Sequence, residues 1–208
     1  MNGVAHSAIG AGTGFVIANV YGADPMTTLV LVSAGTVSAL IPDLDIGGKL
    51  AKKISLSDKM LKSVATIIGL LMMVLSLVQV DQNEKWLGFV IGGAIVFFAQ
   101  KLSQKIMLIL TGIGVGVLGF FLSKLWLLLI GIYIVGAALS SHRSYTHSLI
   151  GLVFFAYIAH LFAVDMSNDL LFYACTCGYA SHLIADMRIF PANRRGIKLF
   201  LPFSKMEL

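Results

Sequence analysis

Long apolar runs separated by short polar clusters occupy almost the whole chain, and nowhere do apolar and polar residues alternate with the period of two expected of a barrel strand. Eight runs approach the roughly 17 to 25 helical residues that cross a hydrocarbon core: residues 4–20, 26–41, 63–80, 86–99, 106–122, 125–139, 149–164 and 170–185. Only Ser123 and Lys124 interrupt 106–139, so its division into two spans rests on that pair. Because lipid cannot satisfy an open backbone, each span is expected to be a helix. The pattern predicts an all-α fold, a polytopic membrane helical bundle of about eight transmembrane segments forming one domain over residues 1–208. Small residues four apart (Gly10 with Gly14, Gly88 with Gly92, Gly112 with Gly116) predict close helix contacts within it.

Composition removes the alternatives. Hydrophobic residues make up 58% and charged residues 12% of the chain, with a mean hydropathy of +0.90, whereas a soluble domain carries roughly 25% charged residues. Neither a soluble globule nor a disordered chain fits those values. Fifteen Lys and Arg against ten Asp and Glu give a net charge of +5, which in a membrane chain marks cytoplasmic loops rather than a nucleic-acid surface. With the N-terminus in the cytoplasm, thirteen of those fifteen fall on the cytoplasmic side of eight spans, and only Lys85 and Lys124 fall outside. This bias predicts that both termini are cytoplasmic. The outer loops are short and carry Asp24, then Asp81 and Glu84, then Asp165 and Asp169. The longest polar stretch, 42–62, reads either as an amphipathic segment on the inner face or as a solvated loop. The first residues lack the basic region of a cleavable signal peptide. Cys175 and Cys177, two apart in an apolar run, make neither a disulfide framework nor a zinc knuckle.

Lys and Arg alone set that orientation, so the placement of His and Asp is an independent observation. Four of the five histidines share the cytoplasmic side with the clustered aspartates. His6 opens the first span, and Asp43 and Asp45 follow Pro42, which helps to stop the second. His142, Arg143 and His147 lie in SSHRSYTHSL between the sixth and seventh spans. His182 and Asp186 close the eighth, and their spacing of four puts them on one helix face. His142 and His147 stand about 140° apart on an ideal helix, so they share a site only where the segment is partly loop, with Ser144 or Thr146 as a candidate N-cap of the next helix. His160, alone in the outer half of the seventh span, reads as an interfacial imidazole.

Ionisable groups near a bilayer are costly to bury and mark functional sites. His6, Asp43, Asp45, His142, His147, His182 and Asp186 form a mixed nitrogen and oxygen donor set that suits zinc or manganese better than magnesium or calcium. Seven donors exceed the three protein ligands of a catalytic zinc and leave room for two ions, an arrangement suited to displacement at phosphorus. Arg143 is then either a forked phosphate donor or a positive-inside anchor. Arg194, Arg195 and Lys198 read as contacts to anionic lipid. No nucleophile elbow, Walker loop or dinucleotide fingerprint is present.

His6, the PDLD turn (Pro42, Asp43, Asp45), HRSYTHS (His142, Arg143, Thr146, His147, Ser148), GYASHLIAD (Gly178, Ser181, His182, Asp186) and the closing GIKLFLPF (Gly196, Pro202) together resemble the YdjM-like family of bacterial inner-membrane, metal-dependent hydrolases, some of them described as LexA-binding. The third to sixth spans carry none of these blocks. The chain departs from the family at Ser144, where glycine is common, and in MRIFPANRR, which intervenes before Gly196. The resemblance implies the bacterial inner membrane as location and a distant likeness to zinc-dependent phospholipase C, whose helical bundles hold metals through His and Asp.

The expected function is therefore a membrane-bound hydrolase that uses one or two divalent ions to cleave a phosphoester of a lipid or another membrane-surface substrate. In that reading Arg143 orients the anionic group and Asp45, or another unligated Asp, is the base. Membrane lipids are the expected partners, and nucleic acid is not. The alternatives are a membrane scaffold or regulatory protein with a structural metal, and a transporter; the latter expects polar groups at mid-membrane, where spans three to six are apolar.

Overall fold

Each of the eight apolar runs contains an α-helix in the computed structural model, which describes residues 2–44, 58–78, 85–141, 144–188, 196–204 and 206–208. In chain order these are α1 (Gly3–Val20), α2 (Pro25–Ser38), α3 (Asp58–Val78), α4 (Lys85–Lys101), α5 (Gln104–Phe121), α6 (Leu125–Leu139), α7 (Leu149–Asp165) and α8 (Leu170–Ala185). No strand occurs among the described residues. Three stretches, Gly3–Val20, Lys59–Val78 and Gln104–Phe121, are long and apolar enough to cross a membrane, and the other five helices are apolar but shorter. Asp81 and Glu84, and residues 45–57 of the polar stretch 42–62, lie outside the described residues.

Local chemistry accounts for the helix ends. Asn2 caps α1 by accepting from the Ala5 N–H, and Asp24 caps α2 by accepting from Met26 and Thr27, with Pro25 at the first helical position. Gly22, Ser123 and Ser167 adopt left-handed conformations (φ 61°, 55° and 51°), the geometry that stops a helix and reverses the chain. The separation of α5 from α6 thus falls at the Ser123–Lys124 interruption. At this reversal Lys124 pairs with Asp165, and the Trp126 indole N–H donates to the same carboxylate at 2.9 Å. The end of α2 falls three residues short of the apolar run: Pro42 has no N–H to donate back to the Ser38 carbonyl, and Ile41–Leu44 forms a 3₁₀ turn around it. The start of α3 precedes its apolar run by five residues, because Lys59 and Lys62 are good helix formers although polar.

The chain divides into two compact units, residues 52–107 and the combination of Met1–Ala51 with Leu108–Leu208. In the first, α3 and α4 pack where Gly69 and Gly92 face each other's carbonyls, a Cβ on Gly69 falling 2.6 Å from the Gly92 oxygen. In the second, α5 and α6 pack through Gly112 and Gly116 against Gly131. There α1, α2 and α8 meet at Gly10, Gly35 and Gly178: a Cβ on Gly178 would lie 3.1 Å from the Gly35 Cα, and one on Gly10 would meet the Gly35 carbonyl. All three predicted glycine pairs therefore mark close helix contacts. Ile41, Leu44, Tyr133, Phe155, Ile158, Tyr179, Leu183 and Ile197 form most of the buried core beside this contact.

Candidate metal centre

The glycine contact sets the level of the site. His6 stands one turn before Gly10, Ala39 one turn after Gly35, and His182 one turn after Gly178. Since α1 runs against α2 and α8, the three residues arrive at the same end of the bundle. The His6 and His182 rings stack with centroids 3.8 Å apart. The Ala39 carbonyl lies 2.7 Å from His182 Nδ1; a carbonyl only accepts, so the proton sits on Nδ1 and the Nε2 lone pair is left free to bind a cation.

Two short turns bring in the other donors. Asp43 comes from the 3₁₀ turn that Pro42 imposes, and His147 closes a second 3₁₀ turn, Tyr145–His147. The N-cap of α7 is Ser148, whose hydroxyl accepts from the Gly151 N–H at 3.4 Å, rather than Ser144 or Thr146. The Thr146 hydroxyl instead lies 3.0 Å from His147 Nδ1. Tyr179 of α8 donates to the Thr146 carbonyl, and its hydroxyl is 2.9 Å from that of Tyr133 on α6.

The inward-facing atoms converge. His182 Nε2 is 3.2 Å from His147 Nε2, 3.8 Å from Asp43 Oδ1 and 3.7 Å from Asp186 Oδ2. His147 Nε2 is 3.6 Å from Asp43 Oδ1 and 4.0 Å from Asp186 Oδ2, and His6 Nε2 is 3.2 Å from Asp186 Oδ1. Donors around one tetrahedral zinc stand about 3.4 Å apart, so these spacings suit a shared coordination shell. Two triads, His6 with Asp43 and His182, and His147 with His182 and Asp186, each place their donor atoms within 4.8 Å of one another. The imidazoles and Asp186 are sealed from outside, while the Asp43 side chain is 23% exposed and forms the open edge.

Electrostatics favour a cation here. Burial alone raises the pKa of both carboxyl groups, but the surrounding imidazoles outweigh it: His147, His182 and His6 hold Asp43 below the usual carboxylate range, and His6 and His182 do the same for Asp186. His6 Nδ1 is buried without a hydrogen-bond partner among the described residues, and a buried polar atom of this kind calls for a partner such as water or an ion.

Five of the seven sequence-predicted donors thus come together: His6, Asp43, His147, His182 and Asp186. Asp45, His142 and Arg143 lie outside the described residues, as do Arg194 and Arg195. His160 is exposed on α7, edge-on to Phe172, and belongs to neither triad. The sequence marks Thr146 as a candidate cap and as part of the HRSYTHS block, and does not distinguish Ala39, Tyr133 or Tyr179. Tyr179 carried a usable signal, since a tyrosine inside an apolar helix needs a partner for its hydroxyl; Ala39 acts through its backbone and carried none.

The sequence model of the family described as YdjM inner membrane protein matches residues 1–208. No curated protein and no solved structure matches the chain.

Proposed function

The chain belongs to the YdjM inner membrane protein family, and from that premise we propose that it is a membrane-bound, metal-dependent hydrolase acting on a phosphoester at the membrane surface. The observation that carries this reading is the meeting of three imidazoles and two carboxylates, drawn from both ends of the chain, in a buried cluster with one open edge. His182 Nε2 has a single lone pair and its Nδ1 proton is engaged by Ala39, so His182 itself serves one ion; Asp186, whose Oδ2 faces His147 and His182 and whose Oδ1 faces His6, is placed to bridge to a second. The nitrogen-rich donor set suits zinc or manganese. When bound, such a cation acts as a Lewis acid that activates water and neutralises charge on phosphoryl oxygens.

The chain's own residues supply the rest. Ala39 and Thr146 orient the rings of His182 and His147 through their Nδ1 atoms. Asp45, two residues after Asp43 in the sequence, is proposed as the base that accepts a proton from water at the open edge, and Asp43, the one partly exposed donor, is the alternative where it stays off the ion. Arg143, four residues before His147 in the sequence, is proposed to orient the anionic group. In this proposal eight spans place both termini and the cluster on the cytoplasmic side, at the depth of lipid phosphates. The near-complete burial of four of the five donors also favours a second reading, a membrane scaffold with a structural ion.

Purified protein assayed on a panel of lipid phosphomonoesters and phosphodiesters separates the two. The hydrolase reading expects turnover that chelation abolishes, that zinc or manganese restores, and that His182→Ala lacks while still inserting into membrane. Bound metal without turnover on any member of the panel supports the scaffold instead.

A further inference from the structure

Main-chain hydrogen bonds tie the segment beginning at Gly196 to two ligand-bearing regions. Ile197 and Leu208 exchange a reciprocal pair, the Ile197 N–H reaching the Leu208 oxygen at 3.1 Å and the Leu208 N–H reaching the Ile197 carbonyl at 3.0 Å. The same Leu208 oxygen accepts from the Arg188 N–H at 2.9 Å, two residues beyond Asp186. The Leu199 carbonyl accepts from the Leu149 N–H at 2.9 Å, two residues beyond His147. Leu149 opens α7, so its N–H has no partner within the helix and the tail provides one. Ile197 is fully buried, in one core cluster with Leu44, next to Asp43, and Leu183, next to His182.

On the reading that the cluster holds a divalent cation, we propose that residues 196–204 and 206–208 form a strap that sets the separation of His147 from Asp186 and thereby tunes how tightly the ion is held. These two donors are the ones whose flanking backbone the strap engages, and at 4.0 Å theirs is the widest of the close donor pairs. The 3₁₀ turn carrying His147 is only three residues long, too short to define its own position firmly. Outside anchoring by Tyr179 on one side and the strap on the other supplies that definition.

Leu149→Pro isolates the link. Proline is favoured at the first position of a helix, where it removes only an N–H that the helix itself does not use. Ser148 already has the extended backbone (φ −121°, ψ 167°) that a following proline requires, and the Leu149 side chain is 40% exposed. Ile197→Ala loosens the buried anchor by a separate route. The probes are zinc affinity by competition with a chromogenic chelator, the visible spectrum of the cobalt-loaded protein, and hydrogen exchange of residues 144–148 in metal-free protein. The strap predicts zinc binding weakened about tenfold in both variants, altered cobalt bands, and faster exchange at 144–148. Wild-type protein that takes up no zinc overturns the metal reading and the tuning together. Wild-type protein that binds zinc no more tightly than the two variants overturns the strap alone.

Discussion

His182 is held at Nδ1 by the Ala39 carbonyl while its Nε2 faces the cluster, an orientation that suits a metal ligand. His147 receives comparable support from Thr146, whose carbonyl is in turn held by Tyr179. Tyr179→Phe is accordingly expected to weaken zinc binding by about 10- to 100-fold while retaining the helical fold, as read by competition titration and circular dichroism. Protons should also act on the cluster in a definite direction. Because Asp186 is held below the ordinary carboxylate value, its contribution to stability is fully present above that value and is lost only as pH falls through the lower folded one. Thermal melts of the metal-free protein from about pH 5 to about pH 2 should therefore fall more steeply for wild type than for Asp186→Asn. At this scale the sequence was informative where spacing carries chemistry, as with His182 and Asp186 one helical turn apart. It was silent where a backbone carbonyl does the orienting, since Ala39 looks like any small apolar residue.

At the scale of elements, three glycines hold α1, α2 and α8 close enough for their histidines and carbonyls to meet one turn away. Gly178→Ala would put a methyl group against the Gly35 backbone, with a cost of about 1 to 3 kcal/mol and impaired metal uptake, because His182 lies one turn farther on. Gly136→Ala is the control: nothing lies within 4 Å of its added carbon, so that change should be neutral, or stabilising by up to about 1 kcal/mol through helix propensity. Melting curves of the two variants in detergent check both expectations. The pairs Gly10 with Gly14 and Gly112 with Gly116 were legible because small residues repeat every four positions. Gly35 and Gly178 have only alanines, Ala39 and Ala174, at that spacing, and the packing shows that they close the contact. Helix ends followed the same logic: Pro42 marked a stop correctly, but its influence on the preceding residues ended α2 earlier than the apolar run did.

For the whole molecule, the His and Asp cluster and the Lys124–Asp165–Trp126 group lie at opposite ends of α7, one near its start and the other at its end. If thirteen of fifteen basic residues mark the cytoplasm, the cluster faces inward and the Asp165 end faces out. In protein lacking Cys175 and Cys177, Met166→Cys should be labelled in intact cells by a membrane-impermeant maleimide, and Phe203→Cys only after lysis; the reverse pattern contradicts the orientation. The helical class was readable because apolar runs of helix length leave few alternatives, whereas the two-unit division depends on tertiary contacts that periodicity does not encode. The most direct test of the central claim is a metal count on protein purified without added chelator. Wild type should carry at least one divalent ion per chain and His182→Ala clearly less; a wild type devoid of divalent metal, or a variant that retains it in full, contradicts the metal centre.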